Sequence, residues 1–267
     1  MKKKRANGFL IAGLCLTGIL ALIILAGAFW TPYDPAAMAA GEKLCPPDAA
    51  HLFGTDQFGR DIFSRVLKGA GTTLAVALAT VAIGGFFGTL VGALTGYFGG
   101  VTDAVLMRLN DTVTAFPAIL LALVIISLTG PGNLYNLVLA LGIVFIPSFA
   151  RVTRTAFASL ATRNYVTAAK LAGAKAPRIL LLHLLPNVRP VLLPALTIGF
   201  NNAVLAEAGM SYLGIGVTPP DASLGYMLSE AQSYFSAAPW YVLSTGTVLV
   251  LLVFGVGLIG EGLGETD

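Results

Sequence analysis

Two histidines and two cysteines are all that this 267-residue sequence offers for imidazole or thiol chemistry. Cys15 lies in an apolar run, Cys45 and His51 in a polar segment, and His183 among leucines in "LLLHLLPN". A metal centre needs three or four donors at characteristic spacing, and no carboxylate or cysteine cluster accompanies either histidine. The two cysteines support neither a disulfide framework nor a zinc site. His183 therefore reads as a packed or surface histidine. A G-x-x-x-x-G-K-[ST] loop is missing, so the chain does not cradle nucleotide phosphates in that way. "GIGVTPPDASLG" opens like a dinucleotide fingerprint, but Pro219 stands at the third glycine. The inventory does not support an enzyme, and the expectation is no catalytic residue, no metal and no cofactor on this chain.

Charged groups at membrane depth are costly and often mark transport pathways. Glu207 is the one such residue well inside an apolar run; Asp103, Arg108 and Asp111 form a cluster that reads as interfacial. An ion-coupled carrier would place acids or histidines in the middle of several spans, which this sequence does not.

The remaining candidate is a polar, basic stretch between apolar runs, "NYVTAAKLAGAKAPRILLLHLLPN", residues 164–187. Residues 164–172 favour helix, Gly173 permits a turn, a second short helix runs through 178–184, and Pro186 ends it. Ala168, Ala169, Ala172 and Gly173 leave a face bare enough for a partner protein to seat closely, rimmed by Lys170, Lys175 and Arg178. The alternative is an interfacial helix resting on lipid headgroups.

What must position this stretch is a membrane bundle. Hydrophobic residues make up 56% and charged ones 11%, with a mean hydropathy of +0.83, against roughly 25% charged in an ordinary globular domain. Spans are expected at 9–30, 72–98, 113–129, 134–150, 188–208 and 240–260, each near the ~20 residues a crossing helix needs. Because lipid offers no partner for bare backbone groups, they should be helices. The first run is longer than the hydrophobic part of a signal peptide and reads as a retained helix.

With residues 1–8 in the cytoplasm, 99–112, 151–187 and 261–267 lie there too. Counting Arg189 at the start of the next helix, twelve of the sixteen Lys and Arg residues then fall inside, leaving Lys43, Arg60, Arg65 and Lys68 outside. That bias predicts both termini in the cytoplasm, and it accounts for the net charge of +3 without nucleic acid. Gly84, Gly88, Gly92, Gly96 and Gly100 recur every four residues on one helical face. Such a face packs against a helix of the same chain or of another subunit. Pro117, Pro147, Pro186, Pro190 and Pro194 fall near span ends, where a missing N–H costs least.

"AAKLAGAKAPRILLLHLLPN" resembles the EAA loop of ABC importer permeases: Glu-Ala-Ala, three residues, Gly, nine residues, Ile, any residue, Leu-Pro. Ala168, Ala169, Gly173, Leu185 and Pro186 match in register; Thr167 replaces the glutamate and His183 the isoleucine. "HLFGTDQFGRDIFSRVLKGA", "MRLNDTVTAFPAILLAL" and "AEAGMSYLGIGVTPPDASLGYML" resemble the second permease subunit of dipeptide, oligopeptide and nickel importers, so that the likeness covers most of the chain. Gly71 departs from an arginine common in relatives, and the tail "GEGLGETD" departs from an Arg-Asp-containing ending.

The resemblance implies an all-α integral membrane protein with the type I importer permease fold, its permease core over 72–267 and an extracytoplasmic segment over 31–71. It implies a homologous second permease subunit, two ATPase subunits carrying ATP and magnesium, and an extracytoplasmic solute-binding protein, all in a bacterial inner membrane. Thr167, Ala168, Ala169, Lys170, Gly173, Ala174, Lys175, Leu185 and Pro186 would couple to the ATPase. Gly54, Thr55, Asp56, Gly59, Arg60, Asp61, Gly214, Pro219 and Asp221 would face the binding protein or the gate. The competing readings are an ion-coupled carrier, which would transport without an ATPase, and a membrane scaffold, which would not transport.

Overall fold

The computed structural model describes residues 8–38, 41–130 and 133–264; most of the amino-terminal segment and the last three residues, where the cytoplasmic tails were expected, lie outside them. The helices are α1 (Gly8–Phe29), α2 (Ile62–Phe98), α3 (Gly100–Thr114), α4 (Ala118–Thr129), α5 (Leu134–Ala161), α6 (Asn164–Leu171), α7 (Ala176–Arg178), α8 (Leu185–Tyr212), α9 (Leu224–Gln232) and α10 (Pro239–Gly264). A π-turn, Ile179–Leu184, joins α7 to α8. Among the described residues five helical runs are long and apolar enough to cross a bilayer, and α3 with α4, bent by 88°, adds a sixth if the pair is one broken span.

Several boundaries differ from expectation for identifiable reasons. The second helix begins at Ile62, ten residues before the expected span, so the last residues of the segment 31–71 are helical. Asp61 caps it, accepting from the Ser64 N–H at 2.8 Å, which satisfies an otherwise orphaned donor. Arg65 and Lys68 made this stretch look like loop, but Arg65 is buried against acids. The expected inner loop 99–112 is largely the helix α3, held to α5 by Arg154 bridging Asp103 at 2.5 and 2.6 Å. Pro117 sits at the bend before α4.

The prolines also correct the boundary reading. Pro147 lies inside α5, and Pro190 and Pro194 lie inside α8. Pro186 does not end a helix; it occupies the first turn of α8, where its missing N–H is tolerated. The π-turn immediately before it shifts the hydrogen-bond register so that 176–212 runs as one broken-register rod.

The glycine face of α2 packs within the chain. A methyl group built on Gly88 would stand 2.5 Å from Phe149 Cβ and 2.6 Å from the Ile146 carbonyl, and one on Gly92 2.5 Å from the Ala150 carbonyl. Gly84 and Gly96 meet α5 in the same way, so the two backbones touch over four turns. Gly100 does not belong to this face; it turns the chain with φ +51°. On the other flank α1 packs on α10, where Gly13 faces Ile259 and Gly255 faces Thr17.

Candidate functional site

Two clusters occupy opposite ends of α2. At one end lies the helix–turn–helix expected from the polar stretch. α6 stops because Gly173, at φ +82°, lets its N–H reach the Lys170 carbonyl at 3.0 Å while the Ala174 N–H reaches that of Ala169 at 3.0 Å. This is a Schellman closure, which requires a left-handed residue. Val166 is the buried anchor of α6, packed with Phe157, Ile179, Leu184 and Val188. Thr167, Ala168, Lys170, Gly173 and Lys175 are exposed, and Leu171 is 85% exposed. Ala169, Ala174 and Leu185 lean on the apolar cluster beneath, and Pro186 stands exposed at the start of α8.

The elbow is thus a rigid, small-residue face held from behind by one valine-centred core. Its link to the rest of the bundle was not visible in the sequence. Lys170 Nζ lies 5.1 Å from the centroid of the Tyr97 ring in the last turn of α2, a cation–π contact. Tyr97 and Ala93 pack against the same core as Val166. α6 and the last turns of α2 thus share one apolar core and one cation–π contact.

At the other end, residues 54–61 fold into a tight turn on the start of α2. Gly54 and Gly59 have φ of +74° and +71°, and the Thr55 hydroxyl donates to the Glu42 carbonyl at 2.5 Å. Thr55, Asp56 and Asp61 point into the protein, at 0%, 0% and 1% exposure. Asp56 Oδ2 accepts from Arg60 Nε and Arg65 Nη1, both at 2.6 Å. Glu230, from α9, closes the other side, accepting from Arg60 Nη2 at 2.9 Å and Arg65 Nη2 at 2.7 Å. The Tyr241 hydroxyl of α10 receives Arg65 Nη1 at 2.9 Å. Two guanidinium groups are held between two carboxylates, which compensates charges that burial alone would penalise heavily. Beside them His51 Nδ1 meets Asp61 Oδ1 at 2.9 Å.

Arg65, Glu230, Tyr241 and His51 were missed as members of this cluster. The sequence signal was Arg65 within the apolar "IFSRVL", a charge that needs a partner, but nothing local identified Glu230. Burial also raises the phenol pKa of nearby Tyr226, and the Glu230 charge adds to it.

The segment after α8 meets the segment before α2 at a cleft of about 550 Å³ lined by Trp30, Arg60, Arg65, Lys68, Pro219 and Asp221 among others. Arg60, Pro219 and Asp221 are thereby brought together, whereas Gly54, Thr55, Asp56, Gly59, Asp61 and Gly214 do not line it. Gly214, at φ +76°, ends α8: its N–H reaches the Ser211 carbonyl at 3.0 Å, and the Ile215 N–H reaches that of Met210 at 3.0 Å. Glu207 is fully buried and accepts from the Ser211 hydroxyl at 2.6 Å, and that hydroxyl in turn accepts from Val217 N at 3.0 Å. It ties α8 to the loop that follows it.

Among the described residues no group of three or more His, Cys, Asp or Glu side chains converges as a set that could hold a metal ion. Comparison with known proteins agrees with the fold. The structure superposes on the inward-facing MetNI methionine ABC transporter with a TM-score of 0.63 at 20% identity, over 77% of this chain and 97% of that one. The sequence is 40% identical to the dipeptide transport system permease protein DppC of Haemophilus influenzae over 97% of this chain and 90% of that protein. It is 35% identical to the nickel transport system permease protein NikC of Escherichia coli, over 94% and 90%. Residues 88–263 match the family model described as binding-protein-dependent transport system inner membrane component, and the chain belongs to that family.

Proposed function

We propose that this chain forms half of the translocation pathway of an ATP-driven importer for short peptides, with α6 as the element that receives force from an ATPase subunit. The exposed small-residue face of α6, fixed by Val166 below and by the Gly173 turn at its end, is the observation that carries this reading. A homologous permease supplies the other half, two ATPase subunits hold ATP and magnesium, and a solute-binding protein delivers cargo at the outer end. The distribution of basic residues supports a cytoplasmic elbow and cytoplasmic termini.

In mechanism, closure of the ATPases displaces α6; the Lys170–Tyr97 contact and the shared core pass that displacement to α2. Because α2 and α5 are in backbone contact along their glycine face, they move as one body, and access alternates by rotation of packed units. The ion cluster at the outer end holds α2 to α9 and α10 during one phase of the cycle. Residues of that cluster serve the outer gate from within, while Pro219, Asp221 and the cleft rim offer the surface for a binding protein.

Peptide cargo is supported by the likeness to DppC proteins. The likeness to NikC supports a second reading, nickel carried as a chelate. Reconstitution of the complete complex in vesicles separates the readings: ATP-dependent uptake of a labelled dipeptide supports peptide import, and uptake of a nickel chelate in its place supports the second. Uptake by the permeases without any ATPase would point to an ion-coupled carrier and overturn both.

A further inference from the structure

We propose that an anionic phospholipid of the surrounding bilayer seats its acyl chain in a groove between α2 and the beginning of the 176–212 helical run, with its headgroup against Arg178. The groove holds about 730 Å³ and is walled by Phe86, Leu90 and Leu94 of α2 and by Leu180 and Leu181 of the π-turn. A lining this apolar accepts hydrocarbon and rejects a polar ligand. It shares Leu78, Val81 and Leu196 with a second apolar cleft bounded by Thr17 and Ala21 of α1. It therefore opens on the flank carrying α1, whose own surface is richly apolar, with Leu22 at 72% exposure.

Charge selects the occupant. The groove ends at Phe98, Ala176 and Pro177, and Lys175 and Arg178 flank that end in the chain. Both are exposed, and neither side chain has an ion-pair or hydrogen-bond partner among the described residues. Arg178 lies in the chain between the groove residues Ala176 and Pro177 and the groove residues Leu180 and Leu181. A lipid phosphate at the interface supplies these cations with a counter-charge, with the arginine stem lying along the apolar wall.

The test uses the purified complex, washed in detergent and then supplied with phosphatidylglycerol or, separately, phosphatidylcholine, with bound lipid counted by native mass spectrometry. Retention of phosphatidylglycerol above phosphatidylcholine is expected. Arg178→Gln should reduce the former about fivefold, the effect of one interfacial cation, and leave the latter unchanged. Ala82→Phe, on the exposed side of the groove, should reduce both. A photoreactive residue placed at Leu181 should capture lipid. Equal retention by all variants, or capture of the second permease polypeptide at Leu181, would overturn the proposal.

Discussion

Lys170 and Tyr97 join the elbow to the end of the helix whose other end carries Arg65. About 48 Å of continuous helix separates the two ends, at 1.5 Å per residue. In the proposed mechanism a displacement at α6 runs along α2 to the ion cluster around Arg65, and each part of that path can be altered separately.

Removing the ammonium tests the inner link. Lys170→Ala should lower transport-coupled ATP hydrolysis by the complex about two- to fivefold, the worth of one partly exposed cation–π contact. Lys170→Arg should restore most of it. Thermal stability of the complex, measured alongside, should change little, because Lys170 is exposed.

The turn itself is less forgiving. Gly173→Val forces a branched side chain to φ +82°, at a cost of about 1–2 kcal/mol. No atom would obstruct its Cβ, so the chain should still fold and insert. The expected outcome is a complex whose ATPase is no longer stimulated by loaded binding protein, read as a loss of the stimulated rate with the basal rate retained.

At the outer end, Glu230→Gln leaves Arg60 and Arg65 with Asp56 as their sole carboxylate. Asp56→Asn removes the acid that both guanidinium groups share most closely. Breaking a buried ion cluster costs about 3–5 kcal/mol, with Asp56→Asn at the upper end of that range. Thermal unfolding of the purified complex should rank wild type above Glu230→Gln above Asp56→Asn.

Along the length of α2, Gly88→Ala should destabilise by about 1–3 kcal/mol, because the added methyl meets backbone as well as side chain and the helices must part. Gly100→Ala meets nothing in space but sits at φ +51°, so it should cost less. Comparing the two by thermal unfolding distinguishes packing from backbone strain.

Much of this was legible from residue order. Apolar run length located the membrane helices, and Gly173 marked the elbow because a left-handed turn leaves few alternatives. Thr167, Ala168 and Ala172 stand exposed, with nothing among the described residues covering them. What failed were features settled at a distance. Arg65 looked like loop until Asp56 and Glu230 neutralised it, and Pro147, Pro190 and Pro194 looked like helix ends although neighbouring helices make them tolerable inside a membrane bundle. The glycine face announced a close contact but not its partner, which proved to be α5. Tyr97 carried no sequence mark at all, since its importance comes from standing where α2 ends beneath Lys170.

The central claim is that α6 docks on a separate ATPase, and site-directed cross-linking addresses it most directly. In a chain freed of its own thiols at Cys15 and Cys45, Ala168→Cys is paired with cysteines placed in turn around the membrane-facing cleft of the ATPase subunit. The account predicts a disulfide between the two polypeptides whose yield changes when ATP binds. A position 168 thiol that reacts only with water-soluble or lipid-borne reagents, and never with the ATPase in either nucleotide state, would contradict it.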